Sequence, residues 1–254
     1  MPEQLRIAMV TTHPPGKGSL NEYAYPFVRF LRHKPEVAEL ILLVDELGPG
    51  ENYDEVSTTT SDGATVTVRP CWQFNELGTP LRILRAVRDV KPDVVLFNIQ
   101  FASFGDGKIP ATLGLMLPAL LKAAGYRSVV LLHNIMETVD LRSAGFAKNP
   151  LIEKLMRSAG AVTMRMVLMA DLVALTIPKY VEIIEAKYRT DKVFLAPHGS
   201  FDDKEQQPDL ALPAGPMKIL TFGKFGTYKK VEKLIEAFAQ LTSNGRPPLE
   251  LVIA

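Results

Sequence analysis

The sequence predicts an α/β fold: a Rossmann-like, doubly wound parallel sheet, followed by the start of a second Rossmann-like unit. Three observations predict it. Short apolar, β-branched runs alternate with helix-like segments along the chain, the rhythm of strand–helix–strand units joined by right-handed crossovers. Several runs are apolar throughout rather than alternating, as strands covered on both faces are. The rhythm breaks over 197–216, where Pro197, Pro208, Pro213 and Pro216 stand among polar residues, and then restarts.

The predicted strands are 5–11, 39–44, 65–69, 93–97, 128–132, 172–175 and 192–196. The predicted helices between them are 20–32, 81–90, 110–124, 151–169 and 178–188. Pro110 and Pro178 suit a first helical turn, where the missing N–H would have no partner anyway. Gly125 follows the third helix where a C-terminal cap belongs. After the break, 217–222 reads as a strand, 230–242 as an amphipathic helix and 249–254 as another strand. The expected organisation is a domain at 1–199, a linker at 200–216 and the incomplete start of a second domain at 217–254. A parallel strand at an open terminus leaves most of a sheet unbuilt, so the expectation is a fragment or a partner chain that completes the second domain.

Composition narrows the class. Hydrophobic residues at 47% against 22% charged describe a globular chain. A net charge of +1 gives no support for nucleic-acid binding. Cys71 is the only cysteine, so no intramolecular disulfide forms, in keeping with a reducing, cytoplasmic compartment. No secretory signal is visible in the first residues. The longest apolar stretch, 111–124, is interrupted by Pro118 and Lys122 and is too short to span a bilayer. His13, His33, His133 and His198 stand at no metal-ligand spacing with one another or with Cys71, and no metal is expected.

Four places carry candidate chemistry. The loop after the first strand, including Gly16, Lys17, Gly18 and Ser19, feeds a helix N-terminus, where N–H groups and the dipole attract an anionic or polyhydroxylated ligand. The plainer reading is a βα turn whose glycines satisfy the backbone. His133 closes an apolar strand at the edge where open α/β sheets bind ligands, and can hydrogen-bond a hydroxyl, a phosphate or a developing charge; the plainer reading is a capping histidine. Gly223, Lys224 and Lys229 lie in the first βα loop of the restarted pattern and suit a diphosphate, against the plainer reading of a solvated basic turn. The helix 151–169 mixes methionines with Lys154, Arg157 and Arg165. It reads as a core-packing helix with a solvated basic face, in preference to a peripheral membrane contact.

The segment 219–238, ILTFGKFGTYKKVEKLIEAF, resembles a hallmark of retaining GT-B glycosyltransferases of the glycogen-synthase-like and sucrose-synthase-like group (glycosyltransferase family 4-like). In that pattern a strand is followed by glycine, a basic residue, a short loop, lysine, glycine and a helix. Lys224 falls at the basic position and Lys229 at the lysine. Lys230 stands where the family has glycine. Residues 170–180 and 192–199 are similar to the family's strand and following turn, with His198 in place of asparagine. Residues 129–134 look like the family strand that ends in His-Asp or His-Asn, and Gly16-Lys17-Gly18 sits where the family has a glycine-rich loop.

This resemblance implies an N-terminal acceptor domain followed by the opening of a donor domain. It implies a UDP- or GDP-linked sugar donor, an acceptor that is a sugar, a lipid or a small molecule, and retained anomeric configuration without a metal or other cofactor. Lys224 and Lys229 would hold the donor diphosphate and His133 would lie at the reacting sugar. The family's later Glu-x7-Glu element does not occur within the 254 residues, so the chain alone is expected to fold in its first domain without turning over. The rival expectations are a non-catalytic sugar- or nucleotide-binding half and a nucleotide-sugar epimerase of GT-B shape. A dinucleotide dehydrogenase fits poorly. The first turn lacks the Gly-x-Gly-x-x-Gly fingerprint, and Asp45 is the only acidic candidate at the end of the second strand.

Overall fold

A computed structural model of the chain describes residues 4–53, 63–139, 149–199, 215–223, 230–243 and 249–254. The chain divides into two compact units, Met1–Thr138 with Leu155–His198, and Val139–Lys154 with Gly199–Ala254.

The first unit holds β1 (Leu5–Val10), α1 (Asn21–Leu31), β2 (Val37–Asp45), β3 (Thr65–Trp72), α2 (Thr79–Val90), β4 (Val94–Ile99), α3 (Lys108–Leu115), α4 (Leu117–Ala123) and β5 (Ser128–Leu132). A 3-10 turn at Met136–Thr138 follows, then β6 (Leu172–Leu175), α6 (Pro178–Tyr188) and β7 (Val193–Leu195). The helix between that turn and β6 is α5 (Pro150–Val167), whose first turn falls in the second unit's residues. The seven strands form one parallel sheet in the order β3-β2-β1-β4-β5-β6-β7. The strand order reverses between β1 and β4, which creates the switch point of a doubly wound fold.

Strand periodicity of two builds a core on each face of this sheet. Ala8, Val10, Ile41, Leu43, Val95, Phe97, Val130 and Leu132 face one side, where Ile83, Leu121, Val167 and Ile184 of the helices pack. Ile7, Met9, Leu40, Leu42 and Val44 face the other, against Val28 of α1. This is why β1 and β2 read as unbroken apolar runs. Trp72 is buried with its indole N–H donating to the Leu43 carbonyl at 3.2 Å, so the largest core side chain leaves no unpaired donor.

Most strand and helix positions match those expected, with β2 starting two residues earlier and β3 running on to Trp72. The span expected as one helix over 110–124 is two, α3 and α4, meeting at Met116. Pro118 is the physical reason. It lacks the N–H that would bond back to the Gly114 carbonyl, so the helical ladder is interrupted there and Pro118 sits in the first turn of α4, where no such donor is needed. Gly125 does cap α4, at φ 82°, with Tyr126 N–H donating to the Leu121 carbonyl at 3.0 Å, a Schellman pattern.

In the second unit, β8 (Met217–Thr221), α7 (Val231–Thr242) and β9 (Leu249–Ile253) make one strand–helix–strand unit with β8 parallel to β9. No described residue of α7 is buried, and Met217, Leu220, Phe222 and Ile253 are exposed. Of the expected linker 200–216, only Gly215 and Pro216 are described.

Candidate functional site

The site grows from the carboxyl ends of β1, β4 and β5, the edge at which a switch-point sheet opens. β4 ends in the run VVLFNI, and its Asn98 is fully buried in an otherwise apolar strand. A buried amide must satisfy its donors and acceptor within the protein. Asn98 Nδ2 donates to Thr11 Oγ1 at 2.9 Å, and Asn98 Oδ1 lies 2.6 Å from His133 Nε2. Thr11 Oγ1 in turn donates to the Thr12 carbonyl at 2.9 Å.

That last bond sets the polarity of the whole chain. A carbonyl only accepts, so the Thr11 hydroxyl spends its proton there and accepts from Asn98. The amide oxygen of Asn98 then faces His133, and His133 Nε2 must carry the proton. Burial, reinforced by the charge of His198, lowers the His133 pKa to about 4. His133 is therefore neutral at physiological pH, and its remaining nitrogen, Nδ1, is an acceptor. The ring stands edge-on to Tyr23 at 4.6 Å between centroids and stacks with His198 at 5.0 Å, while Tyr23 meets His198 edge-on at 5.0 Å. Burial also raises the Tyr23 pKa, keeping its hydroxyl protonated.

The next residue ties the same loops together. Asn134 Oδ1 accepts from the Phe101 N–H at 3.0 Å, and Gln100 Nε2 donates to Ser19 Oγ. Ser19 thus joins the loop after β1 to the loop after β4, across the switch point. The rest of the first loop packs tightly. A Cβ on Gly18 would fall 2.3–2.6 Å from the Thr12 side chain, and one on Gly16 would fall 2.9 Å from the His13 carbonyl. Asn21 Nδ2 donates to the Gly16 carbonyl. Both glycines are needed for close approach within the loop, which is the plainer of the two readings of this motif. Lys17 points outward, with an 89% exposed side chain and Nζ 3.8 Å from Glu51 Oε1. α1 has no side-chain cap, so its first-turn N–H groups are not claimed by a capping residue.

In the second unit, Gly223 closes β8 at φ 125°, a conformation that calls for glycine, and its N–H donates to the Ala254 carbonyl at 3.1 Å. Lys224 and Lys229 lie outside the described residues. Lys230 precedes α7 at φ 45° and ψ 50°. It stands in the left-handed region that glycine enters freely, so the position keeps a glycine-like backbone although the residue is lysine.

Of the residues the sequence singles out, His133 and Ser19 stand at this edge, where Asn98, Tyr23 and Gln100, which no motif marks, stand with them. The one available signal was Asn98, an amide inside an apolar strand. Cys71 is buried with its thiol pushed up to about 12, so it is no nucleophile. Among the described residues, no group of His, Cys, Asp and Glu is arranged to hold a metal ion. Among them, too, no helix is long and apolar enough to cross a membrane.

No protein-family model and no curated protein matches the sequence. Solved structures do share its fold. The glycotransferase of kitacinnamycin superposes with a TM-score of 0.53 at 19% identity, over 100% of this chain and 66% of its own. The apo lipopolysaccharide outer core galactosyltransferase WaaB gives 0.52 at 11% identity, over 97% of this chain and 60% of its own. A UDP-glucosyltransferase from Polygonum tinctorium gives 0.51 at 11% identity, over 99% and 66%. The chain spans less than two thirds of each of these proteins. The likeness is one of fold: the Rossmann-like α/β architecture of GT-B glycosyltransferases.

Proposed function

We propose that this chain belongs to a retaining glycosyltransferase, which moves a sugar from a UDP- or GDP-sugar to an acceptor hydroxyl. The observation that best supports this reading is the His133–Asn98–Thr11 chain at the switch point. It fixes a neutral imidazole with one acceptor nitrogen beside Tyr23, at the edge where such sheets bind polar ligands. His133 Nδ1 would accept a hydrogen bond from a hydroxyl of the transferring sugar.

In the proposed reaction the bond from the anomeric carbon to the diphosphate oxygen breaks. A bond to the acceptor oxygen forms on the same face, and the acceptor proton leaves with the diphosphate. A histidine whose pKa lies at about 4 is a weak base at neutral pH. That supports a reaction driven by charge stabilisation on the leaving group rather than by deprotonation of the acceptor at His133. Lys224, Lys229 and the N–H groups opening α7 would stabilise the diphosphate charge as it develops. These positive groups belong to the protein, so transfer would not depend on a divalent ion. We place the enzyme in the cytoplasm.

The test is the stereochemistry of the product formed by the enzyme that contains this chain, read from anomeric proton couplings, with excess chelator present. Product with the donor's anomeric configuration is expected. An inverted product overturns retention. Loss of transfer under chelator, restored by a divalent cation, overturns the metal-free scheme.

A further inference from the structure

A second polar site lies in the first unit, at the opposite end of the sheet from His133. The C-terminal ends of α5 and α6 and the residues leading into β7 border an open hollow of about 420 Å³, lined by Arg165, Leu168, Lys187, Tyr188, Arg189 and Lys192 among others. Four of these are cations. Two have evident structural work. Lys192 Nζ donates to the carbonyls of Leu168 and Ala170 at 3.4 and 3.1 Å, closing the end of α5. Lys187 Nζ pairs with Glu137 Oε1 at 3.0 Å, and that same oxygen accepts from the Tyr188 hydroxyl at 2.6 Å.

Arg165 and Arg189 are left over. Arg165 lies over the Tyr188 ring, its guanidinium carbon 5.5 Å from the centroid. Neither arginine has a carboxylate partner among the described residues. Cations at helix C-termini offset the helix dipole, and Arg165 in the last turn of α5, Lys187 in the last turn of α6 and Arg189 at its C-cap all stand there. What the dipole does not account for is the gathering of four cations around one hollow, of which Lys187 alone is paired with a carboxylate among the described residues. Guanidinium groups offer paired N–H donors that match the oxygens of a phosphate.

We infer that this hollow binds a phosphate monoester group, held by Arg165 and Arg189 against the Tyr188 wall. The group arrives either on a soluble molecule or on a lipid headgroup at an anionic membrane surface. Met169, which follows the lining residue Leu168 in the chain, and Leu172, which opens β6, are exposed and would face the acyl region in the second case. The inference is independent of the sugar-transfer reading, since it concerns binding at a separate place.

The experiment compares the chain with Arg165→Gln and with Arg189→Gly. The second variant removes a side chain from a residue at φ 52°, where glycine is at ease, so the fold is spared. Inorganic phosphate is titrated by phosphorus NMR, and sedimentation is measured with phosphatidylcholine vesicles with and without phosphatidic acid. The chain is expected to bind at least one anionic probe, and each variant to weaken that binding by about tenfold or more. Phosphate binding alone assigns a soluble ligand, and binding to phosphatidic acid vesicles assigns a lipid one. Binding of neither probe, or equal binding by the chain and Arg189→Gly, overturns the proposal.

Discussion

Each residue at the switch point has a defined role that can be removed singly. The His133 ring is held neutral, so its folded pKa lies below its unfolded one, near 6.5. Between the two values the unfolded state binds more protons than the folded state, and stability falls as pH drops from about 6.5 toward 4. His13 is buried and shifted the same way, so it adds to the effect. Replacing His133 with Gln removes one titrating group. Denaturant melts taken across that range should show a shallower pH slope for His133→Gln than for the parent, and an unchanged slope would mean the imidazole is not held neutral. Gly18 gives a second test. Its missing Cβ would overlap the Thr12 side chain, so Gly18→Ala is expected to cost about 1–3 kcal/mol through overpacking. Thermal unfolding reads this directly, and a melting temperature equal to the parent's would show that the loop relaxes freely.

At the level of elements, apolar continuity made the strands legible. β1 and β2 carry large side chains on both faces because both faces are covered, and such runs stand out in a sequence. The junction of α3 and α4 was hidden, because the residues around Met116 are good helix formers and only Pro118 marks the break. The site was legible only in part. His133 is visible as the residue that ends a strand. Its partner Asn98 in β4 and, beyond that amide, Thr11 just after β1 lie 35 and 122 positions away, brought to it by the sheet order β1-β4-β5. No local pattern encodes that neighbourhood. Elements also differ in stability. β1, β4 and β5 are flanked by strands on both sides and by a core on at least one face, whereas in the 254-residue chain by itself, among the described residues, α7 buries no residue and β8 pairs with β9 alone. A two-stranded pair is marginal without further packing. Hydrogen exchange should therefore be much faster for β8, β9 and α7 than for β1, β4 and β5. Equal protection in both sets would contradict this reading.

At the scale of the first unit, a sheet that opens at its switch point carries a neutral histidine fixed there by buried amide and hydroxyl groups. GT-B glycosyltransferases share the Rossmann-like architecture, and the His133 chain places a buried polar centre at its opening edge. The most direct test measures release of UDP or GDP from nucleotide sugars, in the presence of acceptor, by the enzyme that contains this chain and by its His133→Ala variant. Nucleotide release by the parent is expected, with a loss on the order of 10²-fold in the variant, the scale of removing one group that positions or stabilises the reacting centre. Equal rates for parent and variant, or no release from any UDP- or GDP-sugar, would contradict it.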